Sequence, residues 1–132
     1  MEQQQMQQMQ QLQQQMEEIQ DYLSGLEESK REVSKTREAV KDLEDYEEGS
    51  EILAPIGTGA FVKAEIKDTS KVISNIGGDT FEERDNNQAA QILEKQEGLI
   101  EETREELQSQ VEEMQQQMQQ LQEQAQNQQE QP

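Results

Sequence analysis

Residues 51–66 read Glu51-Ile52-Leu53-Ala54-Pro55-Ile56-Gly57-Thr58-Gly59-Ala60-Phe61-Val62-Lys63-Ala64-Glu65-Ile66. From Val62 to Ile66 apolar and polar residues alternate, the period of a half-buried strand. The apolar run Ile52–Ile56 precedes a Gly-containing loop, Gly57-Thr58-Gly59. Together these predict a β-hairpin. Asp68-Thr69-Ser70 makes a second turn and Lys71-Val72-Ile73-Ser74-Asn75-Ile76 a third strand. Gly77-Gly78-Asp79 turns the chain again into Thr80-Phe81-Glu82-Glu83-Arg84. The centre, 49–84, is therefore predicted to be two hairpins.

The flanks have a different period. Before the centre, Leu12, Ile19, Leu26, Val33 and Val40 recur every seven residues, with Met9, Met16, Leu23, Lys30 and Arg37 three residues ahead of each. After it, Leu93, Ile100, Leu107, Met114 and Leu121 repeat the pattern, with Ala90, Glu97, Arg104, Val111 and Met118 ahead of them. This 3-4 spacing predicts coiled-coil helices. Gln, Glu, Lys and Arg fill the other positions and are good helix formers. Gly49 supplies a stop for the first arm. Asp85 with Gln88 resembles a capping box opening the second, with Asn86 or Asn87 as other starts. The two strips are mirror-placed: position 12 answers 121, 26 answers 107 and 40 answers 93. A chain that goes out, turns and returns sets them at similar heights, with slips of three or four residues allowed.

The expected fold is mainly α with a small β part: a long antiparallel intramolecular coiled coil joined by two hairpins. The expected divisions are a helix over 1–48, the hairpins over 49–84, a returning helix over 85–125 and a frayed or disordered tail over 126–132. At 1.5 Å per residue a roughly 45-residue arm is about 65–70 Å long. In the mirror register Arg37 lies close to Glu97, a pair expected to help set register.

Composition narrows the function. Of 132 residues 30% are apolar and 3% aromatic, too few for a conventional globular core, and the net charge is −19. Both arms are strongly acidic and the centre nearly neutral, at −8, −2 and −9 for 1–48, 49–84 and 85–132. An anionic surface releases no phosphate counterions, so nucleic acid is an unfavourable partner. Without Cys or His there is no disulfide, thiolate or imidazole metal site and no His-based catalysis. Gly57-Thr58-Gly59 lacks the Gly-Lys-Ser/Thr and helix of a P-loop, and Glu44–Glu48 lacks EF-hand spacing. Paired carboxylates on a helix pair have no concave pocket to work in. No apolar run reaches the roughly 20 residues of a membrane span, and the Gln-rich start has no basic-then-apolar leader. The expectation is a soluble, cytoplasmic, non-enzymatic chain without cofactor or metal.

Two hairpins in 36 residues cannot fold alone. Ile52, Ile56, Phe61, Val62, Ile66, Val72, Ile73, Ile76 and Phe81 need a partner surface, so the hairpins are expected to oligomerise into a shared β hub. Gly57, Gly59 and Gly77 mark its turns.

These residues resemble a known family. An out-and-back coiled coil joined by two hairpins is the plan of α-class prefoldin subunits, and Glu51–Ala64 resembles their first-hairpin motif: an apolar pair, Pro, then Ile-Gly-x-Gly. Val72-Ile73-Ser74-Asn75-Ile76-Gly77-Gly78 resembles the second. The resemblance covers about residues 5–125 and implies an ATP-independent holdase co-chaperone. It further implies a hexamer of two α and four β subunits joined through a double β-barrel. Coiled-coil tips would hold unfolded polypeptides and deliver them to a group II chaperonin. The Gln-rich tips depart from the Lys/Glu-rich arms usual there.

On that reading Met6, Met9, Leu12, Met16, Met114, Met118 and Leu121 are the client-binding residues, since Met is flexible and suits promiscuous contact. The plainer alternative makes them ordinary coiled-coil seam. A structural adaptor that binds folded partners through helix faces is the competing function. The acidic excess also suggests a salt-rich, archaeal-type cytoplasm. At low salt the arms are expected to splay, seen as lost helicity and a larger hydrodynamic radius; at 1 M salt the Debye length is roughly 3 Å and the repulsion is screened.

Overall fold

The computed structural model describes residues 2–130. In order it has helix α1 (Gln3–Asp42), a 3-10 turn (Leu43–Asp45), strands β1 (Glu51–Gly57), β2 (Ala60–Glu65), β3 (Lys71–Gly77) and β4 (Thr80–Asp85), and helix α2 (Asn86–Glu130). The backbone is helical through Glu130, and the last part of the tail expected over 126–132 lies outside the described residues. The chain divides into two compact units, residues up to 30 with those from 98 onward, and residues 31–97.

In the first unit α1 and α2 lie antiparallel. Every position assigned to the apolar strip in this part, Met9 to Lys30 and Ile100 to Leu121, is half-buried, and most residues between them are exposed, Glu101 and Thr103 being half-buried too. The seam is thin because each side chain is only half-buried. The exception is Ala125, buried one heptad beyond Met118. Lys30 Nζ lies 2.8 Å from Glu101 Oε2, and Arg104 sits 3.5 Å from Glu27 and 3.4 Å from Glu101. The Lys30 hydrogen bond, aided by the Lys30 and Arg104 charges, holds the Glu101 carboxyl below its ordinary pKa.

In the second unit a small core of Val40, Ala89 and Ala90 joins the two helices, with Val72 and Leu93 packed against it. The alanines let the backbones approach. Arg37 Nε lies 3.1 Å from Glu97 Oε1, the pair expected from the mirror register. Asp85 caps α2: its Oδ1 accepts from Gln88 N–H at 2.8 Å. The next residue, Asn86, is 3% exposed; its side chain donates to the Thr69 carbonyl at 2.7 Å and its backbone N–H to Ser70 O at 3.1 Å. Asp68 Oδ1 in turn accepts from the Ser70 N–H and hydroxyl at 2.8 and 2.6 Å. These bonds tie the turn between the hairpins to the start of α2, and the two from Ser70 hold the Asp68 carboxyl below its ordinary pKa.

The hairpins are two separate two-stranded antiparallel sheets, β1–β2 and β3–β4. They are near copies displaced by 20 residues. Pro55 pairs with Phe61 and Asn75 with Phe81; Gly57 pairs with Ala60 and Gly77 with Thr80. The register breaks at the same place in both, between Pro55 and Gly57 and between Asn75 and Gly77. Each two-residue loop needs a positive φ, met by Gly59 (77°) in the first and by Gly78 (55°) in the second.

Candidate functional site

Two regions carry unspent chemistry. The first is the end of the first unit that holds α1 residues 3–16 and α2 residues from 114 on. Heptad spacing brings Leu12 and Leu121 to one cleft of about 370 Å³ between the helices. Its other lining residues are Gln8, Gln11, Gln15, Gln117, Gln120 and Gln124. The cleft thus has an apolar floor and amide walls, and its lining carries no charge. Each Gln amide offers donors and an acceptor, the same groups an extended backbone presents. On α1 close by, Gln5 Oε1 is enclosed without a hydrogen-bond partner among the described residues.

The seven residues singled out from sequence at this end divide. Met9, Leu12, Met16, Met114, Met118 and Leu121 are half-buried in the seam. Met6 stands outside it, 48% exposed. Only Leu12 and Leu121 line the cleft; the glutamines that form its walls are not among the seven. They follow helical three- and four-residue spacing, but so do the other glutamines around them, so the sequence does not single them out.

The second region is the outward face of the hairpins. Strand alternation places Leu53, Pro55, Phe61 and Lys63 on one face of the first, and Ile73, Asn75, Phe81 and Glu83 on the matching face of the second. Leu53 is 65% exposed, Phe61 57%, Ile73 74% and Phe81 62%. Ile52, Ile56, Val62 and Ile76 are exposed too. Ile66 is half-buried. Val72 points the other way, onto its own chain's Val40–Ala89–Ala90 core. So much exposed apolar surface on so few residues marks an interaction surface. Gly57, Gly59 and Gly77 shape the loops beside it.

Among the described residues no helix is long and apolar enough to cross a membrane, and no group of three or more Asp or Glu is placed to hold a metal ion.

The family model for "Prefoldin subunit" matches residues 12–131. The chain belongs to the prefoldin family. Prefoldin subunits alpha of several archaea are similar to it. That of Methanococcus aeolicus is 39% identical over 83 residues, 63% of this chain and 56% of that protein. That of Methanopyrus kandleri is 32% identical over 86 residues, 65% and 55% respectively. That of Halorubrum lacusprofundi is 33% identical over 82 residues, 62% and 54%. The chain thus spans about half the length of the curated relatives it matches. In fold it is similar to a filamentous PFD from Methanocaldococcus jannaschii solved by cryo-EM, with a TM-score of 0.80, 19% identity, and 87% of this chain and 95% of that one covered. Two long helices with two small antiparallel hairpins are the fold the two share.

Proposed function

We propose that this prefoldin chain is an α-type subunit of an ATP-independent, cytoplasmic holdase. It assembles through its hairpins with β-type subunits, two α to four β, captures unfolded polypeptides at its helix tips and passes them to a group II chaperonin. The observation that carries this reading is the amide-walled cleft over Leu12 and Leu121. An unfolded client exposes irregular apolar side chains on an extended backbone. The leucines and methionines meet the first, the glutamine amides the second. An uncharged lining accepts many sequences, while the acids elsewhere on the chain keep the assembly dissolved. The hairpin faces supply the complementary half, because the exposed Leu53, Phe61, Ile73 and Phe81 are covered only in an assembly.

The test is to purify the chain with an archaeal β-type subunit in high salt, weigh the complex by native mass spectrometry, and dilute a denatured protein into it without ATP. The expected result is a complex of two and four copies that suppresses light scattering at stoichiometric amounts. A complex with no such suppression, or a chain that enters only complexes with folded partners, overturns the reading in favour of a structural adaptor.

A further inference from the structure

The sulfur of the chain is gathered at one place. All six methionines lie in residues 1–16 or 114–118, and the sequence has no Cys, Trp or His. Among the described ones Met6 is 48% exposed, and Met9, Met16, Met114 and Met118 are half-buried. None of these thioethers is sealed from solvent, so a small oxidant reaches each without unfolding the chain.

The same side chains hold this end of the first unit together. Over residues 3–16 of α1 and 114–125 of α2 the apolar seam is Met9, Met16, Met114 and Met118 with Leu12, Leu121 and Ala125. The two stretches contain no Lys or Arg and one acid, Glu123, so no ion pair between them reinforces the seam. Farther along the same unit the seam has no methionine. Ile19, Leu26 and Leu107 occupy it there, and Lys30 bonds Glu101 across it at 2.8 Å.

A hydroperoxide converts a thioether to a sulfoxide. The sulfur lone pair attacks the OH oxygen of the peroxide; the S–O bond forms and the O–O bond breaks. The proton of that oxygen passes to the departing one, which leaves as water or an alcohol. Sulfur loses two electrons and the peroxide gains them. The sulfoxide is polar, and burying it among apolar neighbours without a donor is unfavourable. Outside the seam donors are at hand: Gln8, Gln15 and Gln117 adjoin Met9, Met16 and Met118 in sequence, and their amides donate. Oxidation therefore favours a side chain turned out of the seam.

We propose that the methionines of this end are a reversible modification site for hydroperoxides. Met6 is oxidised first and leaves helix pairing intact. Oxidation of Met9, Met16, Met114 and Met118 then parts the helices over 3–16 and 114–125 and spares the rest of the unit. A methionine sulfoxide reductase closes them again. This inference stands apart from the client reading, since it concerns helix pairing and involves no client.

The experiment treats the full chain with hydrogen peroxide and follows oxygen uptake and amide hydrogen exchange by peptide mass mapping. With no Cys, Trp or His, methionine is the side chain the peroxide oxidises. The Met6 peptide is expected to gain its oxygen first. Once the seam methionines follow, exchange over 3–16 and 114–125 is expected to accelerate about tenfold. Exchange over 17–30 and 98–113 is expected to stay within about twofold. The reductase is expected to reverse the change. Met9→Leu, Met16→Leu, Met114→Leu and Met118→Leu together keep the seam apolar at similar volume. In that variant peroxide is expected to oxidise Met6 and leave exchange unchanged, whereas Met6→Leu alone is expected to open like wild type. Seam methionines that resist peroxide in the folded chain, exchange unmoved by their oxidation, or equal acceleration in the fourfold variant each overturns the inference.

Discussion

Arg37 Nε on α1 lies 3.1 Å from Glu97 Oε1 on α2, with both side chains largely shielded, at 24% and 14% exposed. Both are seam positions where apolar residues would otherwise sit. A charge there is tolerated only opposite its partner, and a slip of one heptad leaves Arg37 facing Ala90 or Arg104. The expected coupling in a double-mutant cycle of Arg37→Leu and Glu97→Leu is about 1 kcal/mol, above an exposed pair because solvent screens it less. Urea unfolding of the four proteins measures it. A coupling near zero removes the register role.

Asn86 is the one buried polar residue among those described, and its side chain holds the Thr69 carbonyl. Asn86→Ala removes that donor and leaves the carbonyl unpaired, which is expected to destabilise the chain by about 2 kcal/mol. Asn86→Asp is expected to be at least as damaging, because it loses the donor and brings a charge into the same place. Urea midpoints followed by circular dichroism decide it. A value for Asn86→Ala within experimental error of wild type would show that the turn at 68–70 holds without this bond.

Glu101 titrates below its ordinary value because Lys30 donates to it. A carboxylate with a lowered folded-state pKa adds stability above its unfolded pKa and loses it as pH falls through the folded value. The difference in stability between wild type and Glu101→Gln is therefore expected to be full at pH 7 and to start shrinking near the ordinary glutamate value of about 4.3. It is expected to vanish at more acid pH. Comparing the two proteins cancels the general relief of acid–acid repulsion that both share. A difference that stays constant with pH refutes the pairing.

The periodicities made most of this fold legible. Heptads placed the seam residues from Met9 and Leu12 to Leu121, because a two-helix seam demands the same side of the helix at each turn, but stopped short of Ala125, one heptad beyond Met118. The hairpin boundaries followed from Gly59 and Gly77–Gly78, since only glycine relieves the turns there. The mirror register foresaw Arg37 with Glu97. The rest depended on three-dimensional context. Val72 looks like its neighbour Ile73 in sequence, yet one faces the helices and the other solvent, and only strand pairing fixes which. The 20-residue hairpin repeat is hidden because few of its positions are identical, Ile56 with Ile76, Gly57 with Gly77 and Phe61 with Phe81, while the others match only in kind or not at all. The glutamine walls look like filler in the sequence because a single helix shows amides all round, and a cleft needs both helices.

The tip residues pose the last test, because the seam reading and the client reading predict different pairings of effects. Leu12 is half-buried in the seam and also lines the cleft. Leu12→Ala is expected to cost about 1–2 kcal/mol, below the value for a fully buried leucine, and to weaken client capture as well. Met6 is exposed and outside the seam, so Met6→Ser is expected to leave stability within about 0.5 kcal/mol. If the tips hold clients through flexible thioethers, Met6→Ser in the assembled complex still lowers suppression of aggregation, by about two- to threefold in the amount of complex required. Thermal melts and light scattering on the same preparations separate the cases. Capture that falls only when stability falls makes these methionines seam and nothing more. Capture that falls with Met6 alone, at unchanged melting temperature, assigns them to the client.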